Sequence, residues 1–450
     1  MRALIVSYAF PPVGGAGVQR VLKLTKYLPA HGVTPSVLTV ANPSVPLADA
    51  SLERGIPADV EVLRARTLEP GYRAKQMAWK AAASTAPSGL GALRRRAVAL
   101  GKSLLVPDPQ ILWLPLASKM LLARLRAKND HVVLISGPPF SQFLLAFVAR
   151  LHAGTAVVLD YRDEWATTRT VYEMGGAARA GEFLEEAVLR ASHGVVTATE
   201  PFRRELLRRF DFLDPERVTA IPNGYDPDDF PATSASPPVD RFVLTYVGTV
   251  FKLTSARPLL EAVRRLHARE PELARLLEVR FIGRIVETEA AAFEGMETRG
   301  VRCIDYLEHD RALEELGASH AVLCMLDDAA GVERIYPAKI FELMYLGKPC
   351  LTIAPEGALS SLAREYDLGP VASPRDPDMI VSTLVGWLNA FRDGRWATEA
   401  PAPEPAARDA RIGRFHRQRL AGEFAAVFER AVSHARASTS HPEPSFLAAK

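Results

Sequence analysis

Cysteine is scarce in this chain of 450 residues, which has only Cys303, Cys324 and Cys350. The three form an odd set without metal-ligand spacing, which excludes a disulfide framework or a cysteine-held metal as the organising feature. A reducing cytoplasm is the expected location. Long apolar runs are missing as well. No uninterrupted hydrophobic stretch reaches the roughly 20 residues of a membrane span, and the chain opens on a strand-like run without the pattern of a signal peptide. Any membrane contact is therefore expected from the surface, peripherally on the inner face of the cell membrane. Charge is nearly balanced at +3, and no nucleic-acid partner is expected. With 48% hydrophobic and 24% charged residues the composition is that of a globular protein, and its length exceeds one hydrophobic core. Two domains of about two hundred residues each follow.

What is present concentrates late in the chain, in Arg334-Ile-Tyr-Pro-Ala-Lys-Ile-Phe-Glu-Leu-Met-Tyr-Leu-Gly-Lys-Pro349. The pattern predicts a helix whose first turn holds Pro337 and which stops at Gly347, followed closely by Pro349. Lys339 is placed to reach an anion at that N-terminus, and Glu342, just over one turn inside, to accept hydroxyl hydrogen bonds. A cation, free backbone N–H groups and a carboxylate in this order suit a nucleoside diphosphate with its ribose. An amphipathic core helix with a good cap explains the segment equally well on its own.

The N-terminus adds a strand, a glycine-rich turn and a helix: Met1–Tyr8, then Phe10-Pro-Pro-Val-Gly-Gly-Ala-Gly17, then apolar periodicity through Leu28. Gly14 and Gly15 allow backbone to approach a ligand. The dinucleotide fingerprint is broken, because Arg20 stands where the third glycine of G-x-G-x-x-G belongs, so a nicotinamide site is disfavoured.

Between these ends, apolar runs at Ser36–Val40, Val132–Ser136, Ala156–Asp160 and Gly194–Ala198 alternate with helical periodicity, and the pattern restarts at Phe242–Gly248, Glu278–Gly283, Val301–Ile304, His320–Met325 and Pro349–Ile353. The fold class is α/β with two Rossmann-like sheets. Boundaries are expected at 1–225, a turn-rich linker over 226–240, a second domain over 241–400, a connector and Arg-rich helix over 401–436, and a disordered tail over 437–450. Arg162 and Asp163 follow a strand end, where site residues of open α/β sheets gather, and are the expected catalytic residues, with a mutual ion pair fixing the loop as the alternative. The Asp226/Asp228 and Asp376/Asp378 pairs lie in turn-rich segments and read as turn formers, so no metal site is expected. From Tyr72 to Lys128 eleven basic residues, including Arg94, Arg95 and Arg96, face a lone Asp108, a local charge of about +10 interleaved with Leu and Trp. Such a surface suits anionic lipid, and equally a solvated face.

Together Phe10–Gly15, Ser136-Gly-Pro-Pro-Phe-Ser141, Asp160-Tyr-Arg-Asp-Glu-Trp165, Ile221–Asp226, Tyr246–Thr249 and Pro337–Glu342 resemble the retaining glycosyltransferases of family four, and among them a subgroup associated with bacterial surface polysaccharides and glycolipids. The resemblance implies the GT-B fold, two facing Rossmann-like domains with a cleft between them. It implies a C-terminal domain that holds a nucleotide diphosphate sugar as donor, an N-terminal domain facing a lipid-linked or saccharide acceptor, a last helix that crosses back to the first domain, and no cofactor. Glu342 matches the second of two glutamates that members often carry; the first position is Arg334, with Glu333 beside it. Where many members have an Arg after the strand-end glycine and a Lys further on, Thr249 occupies the first place and Lys252 stands in for the second. Diphosphate neutralisation then falls to Lys339, with Arg284 as a further cation. Two other classes remain open at this point: a sugar-nucleotide epimerase of the same architecture, and a non-catalytic nucleotide-sugar-binding protein.

Overall fold

A computed structural model describes residues 1–83, 105–128, 130–165, 178–231, 235–399 and 405–440. The chain forms two compact units, Met1–Ile221 with Leu420–Lys450, and Pro222–Arg419. Each is built on a parallel sheet.

The first sheet has seven strands: β1 (Arg2–Val6), β2 (Thr34–Val40), β3 (Glu61–Ala65), β4 (Val132–Gly137), β5 (Ala156–Tyr161), β6 (Gly194–Thr197) and β7 (Val218–Ala220), in the order β3-β2-β1-β4-β5-β6-β7. The second has six: β8 (Phe242–Val247), β9 (Leu277–Ile282), β10 (Val301–Ile304), β11 (Ala321–Met325), β12 (Cys350–Ile353) and β13 (Val371–Ala372), in the order β10-β9-β8-β11-β12-β13. Burial on both faces explains the continuous apolar runs, since β4, β5, β11 and β12 are buried at every residue. Strand order reverses between β1 and β4, and between β8 and β11. Open α/β sheets bind ligands beyond the carboxyl ends of strands at such a point.

Two expectations about connecting segments change. The composition of Asp226–Pro231 suggests a linker, but this segment packs into the second unit: Asp226 is 1% exposed and caps the turn Pro227–Asp229, and Tyr225 stacks on Tyr345 at 4.7 Å. The Arg-rich helix is broken into Pro405–Ile412 and Arg417–Ser440 by a 3-10 turn at Gly413–Phe415. Buried Phe415 accounts for the break, because its carbonyl accepts from Tyr225 N at 3.1 Å while Arg417 N donates to Tyr225 O at 3.0 Å. Backbone pairing with another segment competes there with helical bonds. Beyond Leu420, the helix lays Phe424, Phe428 and Ala431 into the core of the first unit.

Candidate functional site

In the second unit the end of β8 runs into Gly248, whose φ of 142° lies in the region that only glycine adopts readily. Its backbone N–H donates to Ile282 O at 2.8 Å, and Val250 N donates to Arg284 O at 2.8 Å. The loops after β8 and β9 therefore lie side by side, carrying exposed Lys252 on one and exposed Arg284 on the other. Gly283, at φ 126°, fits only without a side chain, since a Cβ there would meet Gly248 O at 2.6 Å.

Lys339 reaches this point from the far side of the switch. Its ammonium donates to Val247 O and sits 4.0 Å above the centre of the Tyr246 ring, in the space that a side chain at 248 would fill. The ring is held in turn, its hydroxyl donating to Thr249 O at 3.1 Å. A cation on an aromatic face gains about 0.5–2 kcal/mol, and one carbonyl uses one of the three ammonium donors. Two remain for an anion.

The helix behind Lys339 is shorter than its sequence predicts. It spans Ile340–Leu346 with Lys339 at the N-cap, so Pro337 precedes the helix and Glu342 falls in its first turn. Gly347 ends it in the left-handed conformation, φ 70°. Glu342 Oε1 lies 3.8 Å from His309 Nε2, which is also 3.8 Å from Asp229 Oδ2. Sequence reading missed His309, an ordinary polar residue in a helix start. It also missed Asp327, the second residue beyond β11, whose carboxyl is pushed up by burial, with Glu289 and Asp328 adding to the shift while the Asp328 N–H opposes it. The signal was available, since Asp327 is the first polar residue after an apolar strand. Glu333 and Arg334 pair with each other, and Glu333 Oε2 accepts from Gly331 N at 2.9 Å. Glu333 is exposed, and its main chain leaves no room for a Cβ at Gly357, where the gap is 2.5 Å.

In the first unit the glycine-rich turn is held by protein. Gly14 N donates to Leu47 O at 3.1 Å, and a Cβ on Gly14 would meet Leu47 Cγ at 2.9 Å. Packing against residues 47–49 therefore explains Gly14, while Gly15 takes φ 98° at the helix N-cap. Arg162 is likewise occupied: it donates to the carbonyls of Gly17 and Pro138, and to Gly137 O at 3.2 Å. These three bonds make Arg162 a staple between loops, and the neighbouring Asp163 adds a favourable charge interaction. Asp163 retains solvent access but is crowded by protein, and desolvation pushes its carboxyl upward; Asp160 and Glu164 add to the shift and Arg162 opposes it.

Arg20, at the position that breaks the dinucleotide fingerprint, lies buried. Its Nε and NH2 atoms bind the Asp160 carboxylate at 2.9–3.1 Å, NH2 also donates to Ile221 O at 2.9 Å, and Ser136 Oγ donates to Asp160 at 2.6 Å. Asp108, the lone acid of the basic stretch, accepts from Phe140 N at 2.7 Å and Ser141 N at 2.9 Å, its carboxyl pushed up by burial. Phe140 stacks on Trp165 with centroids 5.1 Å apart. The motifs at 136–141 and 160–165 thus form one interlocked shelf at the carboxyl end of the first sheet.

Part of the basic stretch turns inward. Arg124 pairs with Asp130 and Glu61, Lys75 pairs with Glu69, and Trp113 is a core residue whose indole donates to Ala65 O at 3.1 Å. Arg94, Arg95 and Arg96 lie outside the described residues. Asp226 and Asp376 accept from the backbone N–H groups of Asp228 and Met379 as caps, and Asp378 pairs with Arg265 and Arg269. Among the described residues no helix is long and apolar enough to cross a membrane.

Residues 13–229, nearly the whole of the first unit's N-terminal portion, match the profile of Glycosyltransferase Family 4. That segment, just under half of the chain, is similar to family-four glycosyltransferases. Over 176 residues the chain is 23% identical to an alpha-maltose-1-phosphate synthase of Mycolicibacterium smegmatis, covering 35% of the chain and 44% of that protein. Over 106 residues it is 35% identical to a D-inositol 3-phosphate glycosyltransferase of Stackebrandtia nassauensis, covering 22% and 24%. The chain thus spans less than half the length of these curated relatives. Its fold is similar to that of a sucrose-phosphate synthase from Thermosynechococcus elongatus, with TM-score 0.65 and 14% identity over 96% of this chain and 99% of that one. WaaG, a glycosyltransferase involved in lipopolysaccharide biosynthesis, is similar with TM-score 0.55 and 13% identity over 98% and 100%. At such identities the likeness establishes the two-domain α/β fold of GT-B glycosyltransferases.

Proposed function

We propose that the chain is a retaining glycosyltransferase that moves a sugar from a nucleotide diphosphate sugar to a lipid-linked or saccharide acceptor in surface glycan synthesis. The observation that carries the reading is Lys339, a cation with two spare donors at the strand-end glycine of the second sheet's switch point. There it neutralises a diphosphate, with Lys252 and Arg284 supplying charge from the two adjoining loops. Glu342 accepts ribose hydroxyls, with the His309 imidazole 3.8 Å from its carboxylate. Glycosyl transfer requires charge stabilisation on the departing diphosphate as the bond to the sugar lengthens, and protein cations supply it. Asp163, solvent-accessible at the end of β5, is the residue of the first unit proposed to meet the reacting sugar or acceptor. The described part of the basic stretch leaves Arg73, Lys119, Arg126 and Lys128 without a carboxylate partner among the described residues, and supports a peripheral location on anionic lipid.

A thermal-shift screen across nucleoside diphosphates and their sugars tests the donor assignment, because a ligand that binds the folded state raises its stability by mass action. The expected result is a shift with one nucleoside diphosphate and its sugar that is lost in Glu342→Ala. Release of that diphosphate on adding an acceptor then demonstrates transfer. Binding without release under any acceptor would reduce the chain to a sugar-nucleotide-binding protein.

A further inference from the structure

The second sheet has another opening, at the opposite end from Gly248. Just ahead of β8, β11 and β12, a groove of about 490 Å³ is lined by Pro237, Val239, His320, Lys348, Phe391 and Trp396. This volume lies within the range of small-molecule sites. Its walls are rigid aromatics: Phe242 stacks beneath the His320 ring at 5.0 Å, Phe391 meets that ring edge-on at 5.0 Å, and Trp396 packs edge-on to Phe242 at 4.8 Å. Val239 stands 95% exposed at the rim.

Two donors in this apolar setting, the Lys348 ammonium and the His320 Nε2–H, have no hydrogen-bond acceptor among the described residues. The Lys348 ammonium is half-buried, and burial lowers its pKa. His320 accepts from Val243 N at 3.0 Å through Nδ1, which fixes the neutral tautomer and leaves Nε2–H as a donor. Burial, with Lys348 nearby, holds its pKa down at about 4, so the ring brings no second positive charge at neutral pH. One cation and one neutral donor match a monoanion with two acceptor oxygens; a phosphate dianion would stay half neutralised.

We propose that this groove is a second ligand site, for a small amphipathic carboxylate whose head lies between Lys348 and His320 and whose aromatic or branched apolar body lies against Trp396 and Phe391. The site is separate from the donor region, so occupancy at one does not require occupancy at the other. Titrating 4-phenylbutyrate and the uncharged 4-phenylbutyramide into the full-length protein by calorimetry tests it. Saturable binding is expected, with the carboxylate favoured by about ten-fold or more, the worth of a charge-assisted bond. Lys348→Met should remove that preference and leave the amide's affinity unchanged, while Lys348→Arg keeps the preference. Trp396→Ala should weaken both probes alike, which keeps the test informative if Lys348→Met does not fold. Equal affinity for the two probes, a preference that survives Lys348→Met, or no saturable binding of either at millimolar concentration would overturn the proposal.

Discussion

Replacing Gly248 by Ala probes the donor site without removing any charged group. The added Cβ would lie well inside van der Waals contact of Lys339 Nζ. Restoring ordinary separation requires a retreat of roughly 1.5 Å. The obstacle is the tip of a flexible side chain, so the ammonium swings away, giving up Val247 O and the Tyr246 face. Solvent largely replaces those contacts, and the lasting cost to the fold is backbone strain at φ 142°, about 1–3 kcal/mol. The cost to binding is separate. An ammonium displaced from its phosphate forfeits a charge-assisted hydrogen bond of about 1.5–3 kcal/mol, a loss of roughly ten-fold or more in affinity. Lys339→Met removes the same bond without the strain. Calorimetry with the nucleoside diphosphate found by thermal shift should therefore give comparable affinity losses in both variants, while urea unfolding should show Gly248→Ala as the less stable. A folded Gly248→Ala protein that binds the diphosphate within about two-fold of wild type would refute the placement of Lys339 at the phosphates.

The other expectations use different parts of the molecule. Arg20→Met strands the buried Asp160 carboxylate and should cost about 3–5 kcal/mol in urea unfolding, part of it recovered by adding Asp160→Asn; a loss under about 1 kcal/mol would mean that the pair contributes little. His193 and His320 are held down at about 3 and about 4, chiefly by burial. Above pH 6.5 both are neutral folded or unfolded, but as pH falls below that value only the unfolded chain takes up their protons, so stability falls by about 1.4 kcal/mol per residue and pH unit until each folded pKa is reached. His320→Asn should remove about 2 kcal/mol of the difference between pH 7 and pH 5, and an unchanged difference would contradict the assignment. Turnover is expected to survive excess EDTA, because the paired aspartates at 226/228 and 376/378 serve as caps and ion-pair partners; loss on chelation with recovery on adding Mg²⁺ or Mn²⁺ would refute this. Changing Arg94, Arg95 and Arg96 to Gln should weaken binding to anionic vesicles at low salt by about 1 kcal/mol per charge, with a smaller effect at high salt, and equal co-sedimentation at low salt would argue against lipid contact.

Ten of the thirteen strands among the described residues were legible as apolar runs, within two residues at each end. The three missed, β3, β7 and β13, are all sheet edges. Half-covered edge strands need no continuous apolar run; Glu61 and Arg64 in β3 show the mixed pattern that hid it. At the site, residue types were readable but their partners were not. Lys339 was visible as a cation, yet its contact with Val247 and Tyr246 spans more than ninety residues of sequence. Pro337 suggested a helix start, but it opens a turn in which Ile340 N donates to its carbonyl at 3.0 Å, and the regular helix begins only at Ile340. Arg20 appeared only as a missing glycine, and its role depends on Asp160 in a strand far along the chain. Arg162 was correctly placed at a strand end, but its donors point to carbonyls that no sequence pattern reveals.

The two strand-end glycines of the second sheet differ in what surrounds them, and this gives the site an asymmetric capacity to evolve. At Gly248 the nearest obstacle is a lysine tip that can move, whereas at Gly283 it is the Gly248 carbonyl, main chain that cannot move alone. Variation at 248 can therefore be accommodated by repositioning or exchanging Lys339, leaving a folded protein on which selection for a new donor can act. Variation at 283 shifts the loop after β8, whose main chain lies against it, and takes Val250 and Arg284 with it. In a library randomised at both positions and selected for folding, 248 should admit small residues together with compensating changes at 339, and 283 should return glycine.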